Sequence, residues 1–453
     1  MKKVLFLILL PLVSNGQIIT TIAGGGTGHD GSKAILASIY DPTLMAIDKY
    51  GNLYFSEPLS HVVRKIDTAG TITTIAGVGI SGYTGDGGLA KNAKLNQPIG
   101  LAFDDSNNLY IADEANNRIR KVNTKTGIIT TIAGNGATGG PGSYGGDGGK
   151  ADTAKLNLPN VICFDKYGNL YISDYLNYRV RRVSTSGIIS TYAGNGTRGR
   201  SGDGGVATSA QFINPGGLAF DKLGNLYISD SAVIRKVNTT GIISFVAGNP
   251  PICAFDSDGV PATTAHMYAG ILAFDSKGVL YFADPYNNRV CKIDASGKIR
   301  TVAGNGGSAF SGDGGLADSA QISGCNGIAF DSCDNMYIAQ VNNPRIRKVT
   351  FDTSCGHLHG DSTNAVKTSP GLSEGAVMLL PNPVGNSLWL TVSNWQANKN
   401  CRYSVIDVMG RKLLSGEIQS SKERIDTGLL HSGIYFIEVV IDNQRIIKNF
   451  VKE

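Results

Sequence analysis

The chain is short of the features that would make it helical, membrane-spanning or a binder of nucleic acid. Its 453 residues hold no charged helix-forming run, while glycine reaches 59, which suits short strands joined by tight turns. The net charge is +5, but Lys and Arg are scattered, with no basic stripe interleaved with aromatics, so a nucleic-acid partner is excluded. There is no HExxH helix, no Ser-His-Asp set and no close carboxylate pair to suggest a familiar hydrolytic centre. The seven cysteines match no zinc spacing.

Met1–Lys2–Lys3, the apolar run Val4 to Val13 and then Ser14–Asn15–Gly16–Gln17 make a signal-peptide pattern with cleavage after Gly16. The run is too short to span a bilayer, and no later segment reads as transmembrane. An exported chain is free to form disulfides. Cys333 and Cys355 are placed to meet at one edge of the last repeat, and Cys163 replaces an alanine of the repeat, as a small buried residue would.

What is present is repetition. "Thr-Ile-Ala-Gly" and its variants end at Gly24, Gly77, Gly134, Gly194, Gly248 and Gly304. An Asp just before "Gly-Asn-Leu-Tyr" or a variant recurs at Asp48, Asp104, Asp165, Asp221, Asp275 and Asp331, in steps of 54 to 61 residues. "Arg-Lys-Val"-like words recur around Lys65, Lys121, Arg182, Lys236, Lys292 and Lys348. Each unit holds four strand-like words, apolar on both faces, as a sheet covered on both sides requires. The fourth-strand word appears at 18–23, before any first-strand word, and none follows the last "Arg-Lys-Val" at 347–349. A solenoid would need caps at its ends. A ring whose last blade borrows its outer strand from the mature N-terminus explains the offset. The fold expected is all-β: a six-bladed β-propeller over 17–352, a linker over 353–376 and a small C-terminal β-sandwich over 377–453.

"Pro-Ile-Gly-Leu-Ala-Phe-Asp" (98–104), "Asn-Leu-Tyr-Ile-Ala-Asp" (108–113) and "Asn-Asn-Arg-Ile-Arg-Lys-Val" (116–122) resemble NHL repeats. The resemblance implies a platform that binds protein, RNA or other ligands, with a minority of related propellers acting as lyases or hydrolases. At the other end, Pro381–Asn382–Pro383, Asp407–Val408–Met409–Gly410–Arg411, Leu430–His431–Ser432–Gly433–Ile434–Tyr435 and a Lys-rich last strand resemble the sorting domain of type IX secretion cargo. That resemblance implies export by the type IX machinery to the cell surface or the medium.

Each unit also carries an insertion between its fourth strand and the next first strand. Gly-Asp-Gly-Gly stands at 85–88, 146–149, 202–205 and 312–315, with degenerate forms around Asp30 and Asp258, and Ala-x-x-Ala follows. The pattern reads as a tight glycine turn capped by its Asp, then one helical turn with alanines packed down. One Asp per loop is too few carboxylates for calcium, so no cofactor is expected. Gly134–Asn135–Gly136–Ala137–Thr138–Gly139 matches a dinucleotide-binding string, but Gly-Gly-Pro-Gly follows where a helix is needed.

Function is sought where blades differ. Three residues before each loop Asp stand Thr27, Tyr83, Tyr144, Arg200, Phe255 and Phe310. Aromatics and Arg are enriched at binding hot spots, so Tyr83, Tyr144, Arg200, Phe255 and Phe310 are candidate contacts for an extracellular protein or glycan. The other reading is that each ring folds inward and anchors its own loop. An enzyme with its site at the channel mouth is the alternative class. His29, His61 and His266 lie on different loops, and His266 is the first base to test.

Overall fold

A computed structural model of the chain describes residues 17–136, 144–251, 253–351, 377–380, 386–392, 401–407, 411–431, 433–441 and 444–452. The signal peptide, the linker and Cys355 lie outside the described residues. The chain divides into two compact units, Met1–Leu358 and His359–Glu453.

The first unit is six four-stranded antiparallel sheets. Blade two is typical, running Pro98–Phe103, Leu109–Asp113, Arg118–Val122 and Ile129–Ala133 from inside to outside. The turn between the first two strands is built by its Asp. In blade one, Asp48 accepts the N–H groups of Tyr50 and Asn52 on Oδ1 and the Asn52 amide on Oδ2. The same turn needs left-handed backbone one residue before the Asn. Gly51 supplies it in blade one at φ 84°, and Asn107 and Asp334 adopt it without glycine. The repeated Asp therefore caps the turn that it heads.

Ile18–Ala23 pairs antiparallel with Arg345–Thr350, with Ile19 opposite Val349 and Thr20 opposite Lys348. Ile18–Ala23 thus supplies the outer strand of blade six, as the offset repeat requires. Blade six in turn packs on blade one, since Ala339 and Ile346 share a buried cluster with Met45, Phe55 and Ile72. Around the ring a second-strand Tyr meets a first-strand Phe of the next blade edge-on. Tyr54–Phe103, Tyr110–Phe164, Tyr171–Phe220 and Tyr227–Phe274 have ring centres 4.8–5.1 Å apart.

Cys333 is disulfide-bonded, and Cys163, Cys253, Cys291 and Cys325 are free. Cys163 is held away from ionisation by burial, which pushes its thiol far up, consistent with the packing role expected of it.

The second unit is a sandwich of a three-stranded and a four-stranded sheet. Leu388, Leu390 and Ile425 from one sheet share a core with Val405, Ile437, Val439 and Phe450 from the other. Its motif residues close turns: Arg411 donates from its backbone N–H and its Nε to Asp407, and the Tyr435 hydroxyl donates to the His431 carbonyl. The edge strands Lys412–Glu417 and Lys422–Asp426 were not legible, because their exposed, charged residues carry no apolar alternation.

Ile19 is fully buried in the closing strand. Ile19→Ala should therefore cost about 2–5 kcal/mol in denaturant unfolding. Deleting residues 17–23 should abolish the cooperative propeller transition. A truncated chain that melts like the full one would overturn the closure.

Candidate functional site

The inserted loops do more than turn. In five of the six blades the loop Asp reaches across to an arginine in the third strand of the next blade. Asp86 lies 2.7 Å from Arg120, Asp30 2.7 Å from Arg64, Asp313 2.7 Å from Arg347 and Asp203 3.0 Å from Arg235. Asp147 meets Arg181 in the same way. Arg120, Arg181 and Arg347 are fully buried. Their charge is met from the other side in blades one to three by Glu57, Asp113 and Asp174, at 3.1–3.3 Å. The Asp is therefore the loop's latch and not a cap of its own turn. The glycine turn closes through backbone bonds, such as Gly88 N–H to Gly85 O, and Ala90 and Ala93 pack down as expected.

The candidate aromatics join this latch. Arg118 sits 3.6 Å from the Tyr83 ring centre, Arg179 3.8 Å from Tyr144, Arg289 4.6 Å from Phe255 and Arg345 4.1 Å from Phe310. Tyr83 and Tyr144 also donate their hydroxyls to Asp86 and Asp147. The two blades without an aromatic, with Thr27 and Arg200, begin their third strands with Val62 and Val233, so no guanidinium is there to stack on. That pairing of aromatic with Arg was readable in the sequence and was missed. Of the five candidates only Tyr83 is exposed, at 39%, and the others are half-buried.

On the same face the first strands converge on the ring axis. At one level the blades alternate large and small: Leu44, Gly100, Val161, Gly217, Ile271, Gly327. Leu44, Val161 and Ile271 share one apolar cluster, closing the axis from blades one, three and five. The glycines between them make room. A Cβ on Gly100 would lie 2.3 Å from the Asn160 carbonyl oxygen, and one on Gly327 would lie 2.1 Å from that of Thr43. The mouth is thus a cavity of about 270 Å3 with an apolar floor.

Its wall carries Asn160, Asn214, Asn326, Tyr175 and Tyr268. Tyr286, 71% exposed, stacks edge-on against Tyr268 with ring centres 4.5 Å apart. Glu114 stands behind the wall and accepts a 2.8 Å hydrogen bond from Asn160 Nδ2. Burial pushes its carboxyl up to about 7, against a single opposing hydrogen bond from Asn160. Burial likewise pushes Asp41, beside the mouth in blade one, up to about 6. None of these residues was a sequence candidate. The signal was there, since these positions vary from blade to blade: Asp41, Asn214 and Tyr268 occupy one position of the repeat, and Glu114 and Tyr175 another.

His266 lies elsewhere. Its Nδ1 is 2.8 Å from Asp256 and its Nε2 3.2 Å from the Asn249 amide, on the loop before blade five, and it does not line the mouth. His61 accepts the Gln97 N–H on Nδ1, and His29 is exposed. Among the described residues no group of three or more His, Cys, Asp or Glu is placed to hold a metal.

Comparison with known proteins agrees with this architecture. The teneurin NHL domain model matches residues 78–141 and 196–254, and the secretion system C-terminal sorting domain model matches 378–453. The chain is an NHL-type β-propeller joined to a type IX sorting domain. The sorting domain marks this NHL propeller for the outer surface or the medium, and among the described residues no helix is long and apolar enough to cross a membrane. It is 29% identical over 385 residues to protein SUPPRESSOR OF QUENCHING 1, chloroplastic, of Arabidopsis thaliana, covering 75% of this chain and 36% of that protein. It is 30% identical over 278 residues to teneurin-1 of Gallus gallus, covering 54% and 10%. The chain thus spans about a third or less of the length of these relatives. An auxiliary nutrient binding protein from Bacteroides ovatus superposes with a TM-score of 0.55 at 16% identity, covering 74% of this chain and 76% of that one, which speaks for the fold alone.

Two outcomes follow from the geometry. Arg120→Leu strands the buried Asp113 carboxylate and should cost about 3–5 kcal/mol, whereas Asp86→Asn, at the one-third exposed end of the latch, should cost far less. Equal losses in chemical denaturation would contradict the latch. For Glu114 the folded state keeps a proton that the unfolded chain releases near 4.5. Wild-type stability therefore falls as pH rises from about 4.5 to about 7, and the cost is fully present above that. Glu114→Gln removes the term, so its melting midpoint should gain on wild type across that window. A constant difference would show that Glu114 is not held protonated.

Proposed function

We propose that the exported protein, delivered after removal of residues 1–16, is a binding protein that takes a protein or carbohydrate ligand on its loop face, centred on the channel mouth. The observation that carries this reading is local loss of symmetry. The turn Asp, the latch and the packing residues recur in nearly every blade, whereas the positions at the mouth vary from blade to blade and bring together Tyr175, Tyr268, Tyr286, Glu114 and Asn160. Aromatic faces beside amides and a carboxyl, above an apolar floor, suit a ligand with both apolar and hydroxyl-bearing surface. Tyr83, Tyr144, Arg200, Phe255 and Phe310 surround this centre on the same face and enter the proposal as an outer rim, reached only by a ligand broad enough to cross the loops.

The test is to probe the mature chain against arrays of oligosaccharides and of extracellular peptides, beside the variants Tyr175→Ala and Tyr268→Ala. Hits that weaken at least about tenfold in both variants support the mouth as the centre. Hits unchanged in both, but lost in a Tyr83→Ala/Phe310→Ala variant, would move the site to the rim. An absence of hits on either array would remove the binding reading.

Glu114 favours a second reading, an enzyme with its site at the mouth. A carboxyl titrating near 7 is poised for proton transfer at neutral pH. Any turnover of a sugar or lactone panel should then vanish in Glu114→Gln while ligand binding persists. In either case, deleting 377–453 should leave a folded propeller trapped in the periplasm; its appearance at the cell surface would contradict the sorting role.

A further inference from the structure

The opposite face, where the tight Asp-headed turns lie, carries a second departure from the repeat. Arg182 occupies a third-strand position that is Lys65, Lys121, Lys236, Lys292 and Lys348 in the other blades, and Tyr192 occupies a fourth-strand position that is Ile or Val in all five. The two changes fall on one face of blade three. Tyr171 pairs across the sheet with Arg182, and Arg182 with Ser190, two residues from Tyr192. Together they line a cavity of about 410 Å3 between blades three and four.

Its wall is aromatic. Tyr171 meets Tyr192 and Phe220 edge-on, each at 4.8 Å between ring centres. Its arginine stands out of ion-pair reach of the two carboxylates in the lining, Asp165 and Asp221. In blade two the corresponding Lys121 lies 3.4 Å from Asp104, and in blade six Lys348 lies 3.9 Å from Asp331. Among the described residues Arg182 has no ion-pair partner, and its Nε is buried without a hydrogen bond. Asp165, which would correspond, takes the same four hydrogen bonds from its turn and Tyr171 as Asp331 takes in blade six, yet Arg182 forms no ion pair with it. Asp221 across the cavity is occupied by its own turn in the same manner. Lys166 and Lys222 add positive charge at the rim. The cavity between blades two and three is a built-in control, with Ile132 in place of Tyr192 and no arginine in its lining.

We infer that the cavity between blades three and four is a ligand site for a small aromatic carboxylate, its ring against Tyr171, Tyr192 and Phe220 and its anion on the Arg182 guanidinium. A planar guanidinium with free donors matches a carboxylate, and the three rings accept a flat apolar body. The site lies on the face opposite the channel mouth and stands independently of any ligand there.

The test is titration calorimetry of the mature chain with 4-hydroxybenzoate and with its neutral counterpart 4-hydroxybenzyl alcohol. The acid should bind at least about tenfold tighter than the alcohol. Arg182→Lys restores the residue of the other blades, so its amine can turn to Asp165 and the preference for the acid should disappear. Tyr192→Ile, also a residue the repeat already accommodates, should weaken both probes. Unchanged melting midpoints in the two variants separate loss of the site from loss of the fold. No binding of 4-hydroxybenzoate, equal affinity for acid and alcohol in the wild type, or acid binding retained in both variants would each overturn the assignment.

Discussion

A buried arginine in the third strand of five of the six blades is the interaction on which the loop face depends. A guanidinium sealed from water costs several kcal/mol unless its charge is met and its donors are used. Here it is met by a carboxylate from the neighbouring strand in blades one to three, and in five of the six blades by the Asp of the long loop arriving from the preceding blade. The demand of the arginine therefore fixes where each loop lands. Blade five shows the dependence in reverse. Cys291 stands in the arginine's place, so Asp258 keeps only the contact to Thr301 that Asp30 and Asp147 also make to Thr74 and Thr191, and Asp284 keeps its bonds from Asn287 and the Tyr268 N–H. Burial pushes Asp284 up to about 6, against opposing hydrogen bonds and the charge of Arg289.

Closure is the second constraint. A propeller without a paired outer strand in its last blade would expose the Arg345–Thr350 edge and open the ring between two blades. Borrowing Ile18–Ala23 from the N-terminus joins the first and last residues of the unit in one sheet. The converging first strands then leave room on the axis for only three large side chains, and the alternation of Leu44, Val161 and Ile271 with glycine turns a through-channel into a floored cavity. A floored cavity can retain a ligand, whereas a water-filled bore cannot.

Repetition also separates structure from function. Asp48 and its equivalents, the latch Asp residues and the aromatics stacked on arginine recur because each blade needs them. Glu114, Tyr175, Tyr268 and Tyr286 about the channel mouth, and Arg182 and Tyr192 in the cavity between blades three and four, do not recur. The aromatics chosen from the sequence as contacts were drawn from the repeating class, since a loop position was read without its cross-strand partner.

The amino-acid sequence alone determined the blade count, the four strands per blade, the borrowed closing strand, the turn role of the repeated Asp and the sorting domain at the end of the chain. These are local or periodic properties, written in turn chemistry, apolar alternation and spacing. The arginine latch, the plug across the axis and the setting of Glu114 against Asn160 were decided only by the tertiary structure. Each joins residues from different strands or blades, between 34 and 46 positions apart for Asp86–Arg120 and Glu114–Asn160, and no local pattern records which of them face one another once the ring has closed.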